Sequence, residues 1–208
     1  MRSLKDKNKI PLFTIMLLNF VTLFSAIQSD NILNSEWHTV IQNWHWLLKI
    51  GAALIFTGII NAQISPYMKA RLVFWRWENP WPGSEAFTRY GLSDPRIDIQ
   101  LLQHTYGILP TDRKDQNTLW YRLYSSVSDN ISVRYVHREF LFARDYTSFA
   151  LLILIVFGIT GILFIPSIKT TSLYMVLLIV QVLLATNAAR NHGYRLVTTV
   201  LALKTTDK

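Results

Sequence analysis

The sequence predicts an all-α membrane protein: four transmembrane helices arranged as two hairpins, with a helical cytoplasmic insert between helices 2 and 3. Three observations predict it. Half of the 208 residues are apolar. Four apolar runs are each long enough for a hydrocarbon core of about 30 Å, which takes about 17–25 helical residues. Nineteen of the twenty-one Lys and Arg residues then fall on one side of the resulting map, as the positive-inside rule requires of a cytoplasmic face.

The first span is Ile10–Ile27, "IPLFTIMLLNFVTLFSAI". Its basic start, with Arg2, Lys5, Lys7 and Lys9, resembles a signal-peptide n-region, but the exit "FSAIQSD" lacks a pair of small residues at the cleavage positions. An uncleaved helix is expected. The second span is Trp46–Ile64, "WLLKIGAALIFTGIINAQI". It is expected to continue past Pro66 with a kink and to stop at "NPWPG". The third, Thr147–Ile165, and the fourth, Leu173–Ala189, hold no charge. The outer loops are then Gln28–His45 and the short "PSIKTTS", and both termini are cytoplasmic. Trp37, Trp44 and Trp46 mark the outer boundary of the second span, and Trp75, Trp77 and Trp81 lie beyond its inner end, where interfacial anchors belong. Lys49 snorkels outward past Trp44 and Trp46. The domain plan is 1–65 for the N-terminal hairpin, 66–146 for the insert, and 147–208 for the C-terminal hairpin with its cytoplasmic tail.

The insert is too long for a structureless loop and carries helix signals. "SDPRIDIQLLQHTYG" offers Ser93 or Asp94 as N-cap, Pro95 in the first turn and Gly107 as the stop. "PTDRKDQNTLWYRLYSSV" offers Thr111 or Asp112, followed by an apolar face of Leu119, Trp120, Leu123, Tyr124 and Val127. Asp129 or Asn130 caps a helix that meets no Gly or Pro before the third span, so one helix is expected over about 131–165. After the fourth span, "ARNHGYRLVTTVLALK" continues at helical spacing, weakened at Gly193 by about 1 kcal/mol.

The chemistry this chain can perform is narrowed by its composition. It has no cysteine, which removes disulfides and thiolate chemistry. His38 and His45 stand seven apart and could share a helix face, but interfacial histidines beside tryptophans need no metal, and none is expected. "HRE" at His137 lacks the cysteines of a zinc deaminase. No nucleophile motif is present. Asp94 with Asp98, and Asp112 with Asp115, sit at helix starts, where carboxylates complement the dipole. No catalytic residue and no cofactor is expected; an enzymatic reading would fall on His104 or His137. The insert has eleven basic and nine acidic residues, too balanced for phosphate-dominated nucleic-acid binding. Lys69, Arg71, Arg76, Arg144, Arg190 and Arg195 flank the spans instead and suit anionic headgroups of the lipid bilayer.

Two groups of residues are candidate sites. Arg76, Trp77, Trp81, Phe87, Arg89 and Tyr90 form an arginine–aromatic surface of the kind enriched at interface hot spots, expected to bind a cytoplasmic protein partner. Asn19, Thr57, Asn61, Gln181 and Asn187 place polar groups on the spans. Small and polar stripes mediate helix packing in lipid, or line a polar pathway when copies assemble. No acidic or basic residue lies mid-span, which disfavours ion-coupled transport.

In topology the whole chain resembles small four-helix bacterial membrane proteins that accompany anti-phage defence systems: the membrane subunit of the Kiwa system, or four-helix pore-type effectors linked to nucleotide-signalling systems. "DPRID", "QNTLWYRLY" and "ARNHGYR" are this chain's own distinctive strings. The resemblance implies a non-enzymatic sensor or scaffold subunit of the bacterial inner membrane, homo-oligomeric, docking a cytoplasmic protein partner. The alternative it implies is a membrane-permeabilising, pore-type effector.

Overall fold

The computed structural model describes residues 8–206. Arg2, Lys5, Lys7 and Lys208, which the topology argument used, lie outside the described residues, as does the side chain of Lys9. Among the described residues every regular element is helical. Four helices are long and apolar enough to cross a bilayer: α1 (Lys9–Ile27), α4 (His45–Gln63), α9 (Ile131–Phe164) and α10 (Ile168–Thr206). Between α1 and α4 stand two short helices, α2 (Ser29–Leu33) and α3 (Trp37–Gln42). His38 and His45 therefore belong to different helices and share no face. Between α4 and α9 come α5 (Pro66–Phe74), a 3-10 turn at Pro82–Glu85, a π-helical turn at Ala86–Tyr90, then α6 (Gly91–Ser93), α7 (Ile99–Tyr106) and α8 (Arg113–Val127).

The chain divides into two compact units, Met1–Ser65 with Asp145–Ala185, and Pro66–Arg144 with Thr186–Lys208. Residues 186–206, the cytoplasmic tail of the second hairpin in the sequence plan, group with the segment that follows Pro66.

In the first unit α1 packs on α4 through a core that includes Leu23, Ile50, Leu54, Phe149, Phe157 and Leu178. Small residues let the helices close in. Gly158 and Gly161 of α9 face Met175 and Tyr174, whose side-chain atoms come within 3.4 and 3.0 Å of where a Cβ would sit. Outward-facing side chains such as Phe13, Leu18, Phe56 and Leu184 are exposed, as expected of surfaces whose solvent is lipid. Trp46 packs edge-on against Phe164 at 4.8 Å, and the Lys49 ammonium lies 4.6 Å from the Trp46 ring.

The second unit has its own core, with Val73, Phe87, Leu102, Trp120, Phe140 and Val197 among its members. Its centre is Gln116 of α8, which is 1% exposed. The Gln116 Oε1 accepts from the backbone N–H groups of Phe87 (3.0 Å) and Thr88 (3.2 Å), while Nε2 donates to the Thr111 carbonyl at 2.8 Å. One amide therefore fastens the π-helical turn to α8. The 3-10 turn docks beside it at Gly83. A Cβ there would lie 2.5 Å from Trp120 Cε3, so only glycine fits. Gly193 plays the same part in α10, where a Cβ would meet Phe74 Cζ at 2.8 Å. The helical cost expected of this glycine is the condition for α10 to approach α5.

Local signals set several ends. Asp112 caps α8, accepting from Lys114 N and Asp115 N; Asn130 accepts from Ser132 N at the start of α9; Gly107, at φ 80°, ends α7. Three expectations require correction. The chain does not kink through Pro66: Ile64 is extended and α5 begins anew at Pro66, a first helical position where the missing proline N–H costs nothing. Helix α5 ends at Phe74, short of "NPWPG", since Trp75 turns left-handed at φ 54°. The N-cap of α7 is Asp98, which accepts from Leu101 N at 2.9 Å, and neither Ser93 nor Asp94. Asp94 is occupied elsewhere, accepting from Arg96 N, Nε and Nη2 at 3.1, 2.9 and 2.6 Å.

Replacing Gln116 by Leu leaves two amide N–H groups and a carbonyl without partners, and is expected to destabilise the second unit by about 2–4 kcal/mol. Hydrogen exchange of α8 amides should accelerate relative to α9. The hydrogen bonds from Arg96 lower the Asp94 carboxyl from 3.8 to about 2. A depressed carboxylate contributes stability above its ordinary value that is lost as pH falls through its folded value. Denaturation midpoints should therefore drop between about pH 4 and about pH 2, and Asp94→Asn should flatten that part of the profile.

Candidate functional site

The second unit holds a cleft of about 550 Å³ lined by Arg76, Arg89 and Arg190, by the rings of Phe74, Trp75, Tyr90 and Tyr194, and by Ser93, Asn187 and Asn191. Its floor is the end of α5. Trp75 occupies the left-handed position that normally falls to glycine, an outlier for a bulky residue. Its N–H donates to the Arg71 carbonyl at 2.8 Å, closing the last turn. The Val73 carbonyl, left over at the helix end, accepts from Arg190 Nε at 2.6 Å. The same guanidinium lies 4.3 Å from the Trp75 ring centroid. One α10 side chain thus caps α5 and holds the strained tryptophan, whose ring is 68% exposed.

The opposite wall comes from the fastened turns. Glu85 forms ion pairs with Arg76 at 2.6 Å, Arg89 at 3.2 Å and, from α8, Arg113 at 3.5 Å. Burial pushes the Glu85 carboxyl up, but the hydrogen bonds and charge of Arg76 and then Arg89 outweigh it, and the carboxyl sits below its ordinary value. Burial and then the charge of Arg76 push Arg190 below its own ordinary value; arginine remains cationic at neutral pH all the same. Burial, followed by the Glu85 charge, raises Tyr90, whose ring meets Tyr194 edge-on at 5.2 Å.

Arg76 and Arg89 of the cleft share one carboxylate with Arg113 outside it, and no carboxylate or imidazole lines the cleft. Such a lining can hold an anion and stack a ring.

Of the residues expected in a partner-binding surface, Arg76, Arg89 and Tyr90 come together here. Trp77 is 75% exposed on a neighbouring patch, where Arg71 Nε and Tyr67 Oη both donate to the Trp77 carbonyl. Trp81 lines a separate aromatic cavity of about 440 Å³ with Trp120, Tyr124 and His137. Phe87 is buried at 4% exposure and is a core residue, unavailable at a surface. Asn187, expected on a helix-packing or pore stripe, lines the cleft instead.

The remaining span residues stay in the first unit. Asn19 Nδ2 donates to the Ile15 carbonyl and Thr57 Oγ1 to the Ala53 carbonyl. Asn61 Oδ1 accepts from Ser148 Oγ, and Gln181 bonds Tyr146. In the aromatic cavity, His137 Nδ1 lies 2.9 Å from Tyr124 Oη, and burial ahead of the Arg144 charge lowers the imidazole, favouring its neutral form. His104 is exposed on α7. Among the described residues no three His, Asp or Glu side chains gather as a metal site would require.

Sequence reasoning also groups Trp75 with Arg76, Arg89 and Tyr90, but it missed Arg190, Asn191 and Tyr194 as members of the site. The signal was present: 187, 190, 191 and 194 follow i, i+3, i+4, i+7 spacing and so share a helix face. Replacing Arg190 by Ala should cost about 1–3 kcal/mol, the usual loss for an abandoned buried carbonyl. Arg190→Lys should recover only part, because an ammonium cannot both reach the carbonyl and lie flat on the ring; urea titration followed by tryptophan fluorescence reads the difference. No protein family, curated protein or solved structure matches this chain.

Proposed function

We propose that this chain is a non-enzymatic, multi-pass sensor or scaffold subunit of a bacterial inner membrane. It self-assembles through the first unit and presents the second to a cytoplasmic partner. The observation that carries this reading is the cation-rich, ring-lined cleft, with the exposed Trp77 on a neighbouring patch. It combines a pre-organised binding concavity with the residue types that dominate interface energetics. The charge map of the sequence, with its basic residues on one side, supports the cytoplasmic placement of this unit and of both termini. The topological resemblance to membrane subunits of anti-phage defence systems supports such a system as the setting.

The pore-type alternative draws less support. Asn19 and Thr57 satisfy their polar groups on their own helix backbones, and Asn61 is engaged by Ser148. Groups committed in this way favour packing over lining a water-filled path.

Full-length protein in mild detergent is expected to run as an oligomer by light scattering. Affinity capture from the native host should retain one stoichiometric cytoplasmic protein, lost on Trp77→Ala with no change in melting temperature. A monodisperse monomer with no retained protein would overturn the reading.

A further inference from the structure

Arg190 uses Nε on the Val73 carbonyl and its face on Trp75, and its two terminal nitrogens make no hydrogen bond among the described residues. Asn187 and Asn191, on the same face of α10, likewise make none with their amides. Arg76 and Arg89 both lean on Glu85, which Arg113 shares, so the three cleft arginines keep at least two positive charges that Glu85 does not offset. Uncommitted donors, surplus charge and aromatic walls surround a concavity of about 550 Å³. A left-handed tryptophan holds one wall, and backbone strain of this sort concentrates at binding sites.

We propose that the cleft is a phosphate-ester site. The phosphate accepts from the free end of the Arg190 guanidinium, from Arg89 and from the Asn187 and Asn191 amides. The organic group of the ester lies against Trp75 and Tyr194. A phosphoryl group suits these donors because it brings about two negative charges and three acceptor oxygens, and a planar guanidinium engages it with two parallel hydrogen bonds. A carboxylate would leave one of the two surplus charges unmatched. The ester has two sources, a soluble nucleotide or a lipid whose headgroup is itself a phosphomonoester, as in phosphatidic acid. Asn187 falls within the last three residues of the fourth apolar run in the sequence, which puts both within reach. This inference rests on the sensor reading and names what is sensed.

The test uses the full-length protein in nanodiscs. In one arm the lipid is entirely phosphatidylcholine, and ADP is titrated while tryptophan fluorescence is followed. In the other, a fraction of the lipid is phosphatidic acid, and lipids retained on the released protein are counted by native mass spectrometry. One arm is expected to show saturable binding of one ligand per chain, weakened by added salt and reduced about tenfold or more by Arg89→Gln and by Asn191→Ala. Arg89 has a 65% exposed side chain and Asn191 is exposed, so both variants should fold even where Arg190→Gln does not. Saturation with ADP assigns the soluble source, and retained phosphatidic acid the lipid source. Absence of saturable binding in both arms, or binding unaffected by both variants, overturns the proposal. No protein partner is present in either arm, so this failure is distinct from failure of the capture experiment. Conversely, Trp77→Ala should abolish capture while leaving ADP or lipid binding unchanged.

Discussion

The second unit depends on a single buried amide. The stretch from Pro82 to Tyr90 is built of a 3-10 turn and a π-helical turn, neither of which satisfies its own backbone as an α-helix does. Gln116 supplies what they lack, accepting two N–H groups with one oxygen and anchoring its nitrogen on Thr111. A buried side chain bonded on both ends is worth keeping only if all its partners are present, so α8 and the turns form together or not at all. Gly83 completes the fit by removing the one Cβ that would hold the turn away from Trp120.

The ion-pair hub beside the cleft hangs on that fastening. Glu85 sits between the two turns, and its position draws Arg76, Arg89 and Arg113 to one place. The carboxylate organises the cations without neutralising them. From the other side, α10 delivers Arg190 to a carbonyl 117 residues earlier in the chain. The site is therefore assembled from three segments that are distant in sequence, each held by a different contact: an amide, an ion-pair hub and a helix end.

This assembly explains which parts could be read in advance. The four long apolar helices were legible because length and hydropathy are properties of a continuous run. The caps at Asp112 and Asn130 and the stop at Gly107 were legible because each acts on residues two to four positions away. The end of α5 was not. "NPWPG" is the stronger breaker by composition, yet the helix stops earlier, where a partner far along the chain caps it. Asp94 looked like an N-cap but folds back on Arg96, a competition between two local options that composition cannot decide. Phe87 and Trp81 looked alike in a string of aromatics and separated on folding, one into the core and one to another cavity. Asn187 read as part of an apolar run because it is one; only its neighbours on α10, three, four and seven residues on, place it in the cleft.

Trp75 carries a consequence of its own. Its backbone sits where glycine would be at ease, while its ring is the part that faces outward into the cleft. A drift toward glycine there would ease the chain and strip the wall in one step. A screen for stability alone would therefore enrich changes at this one codon that erase the wall.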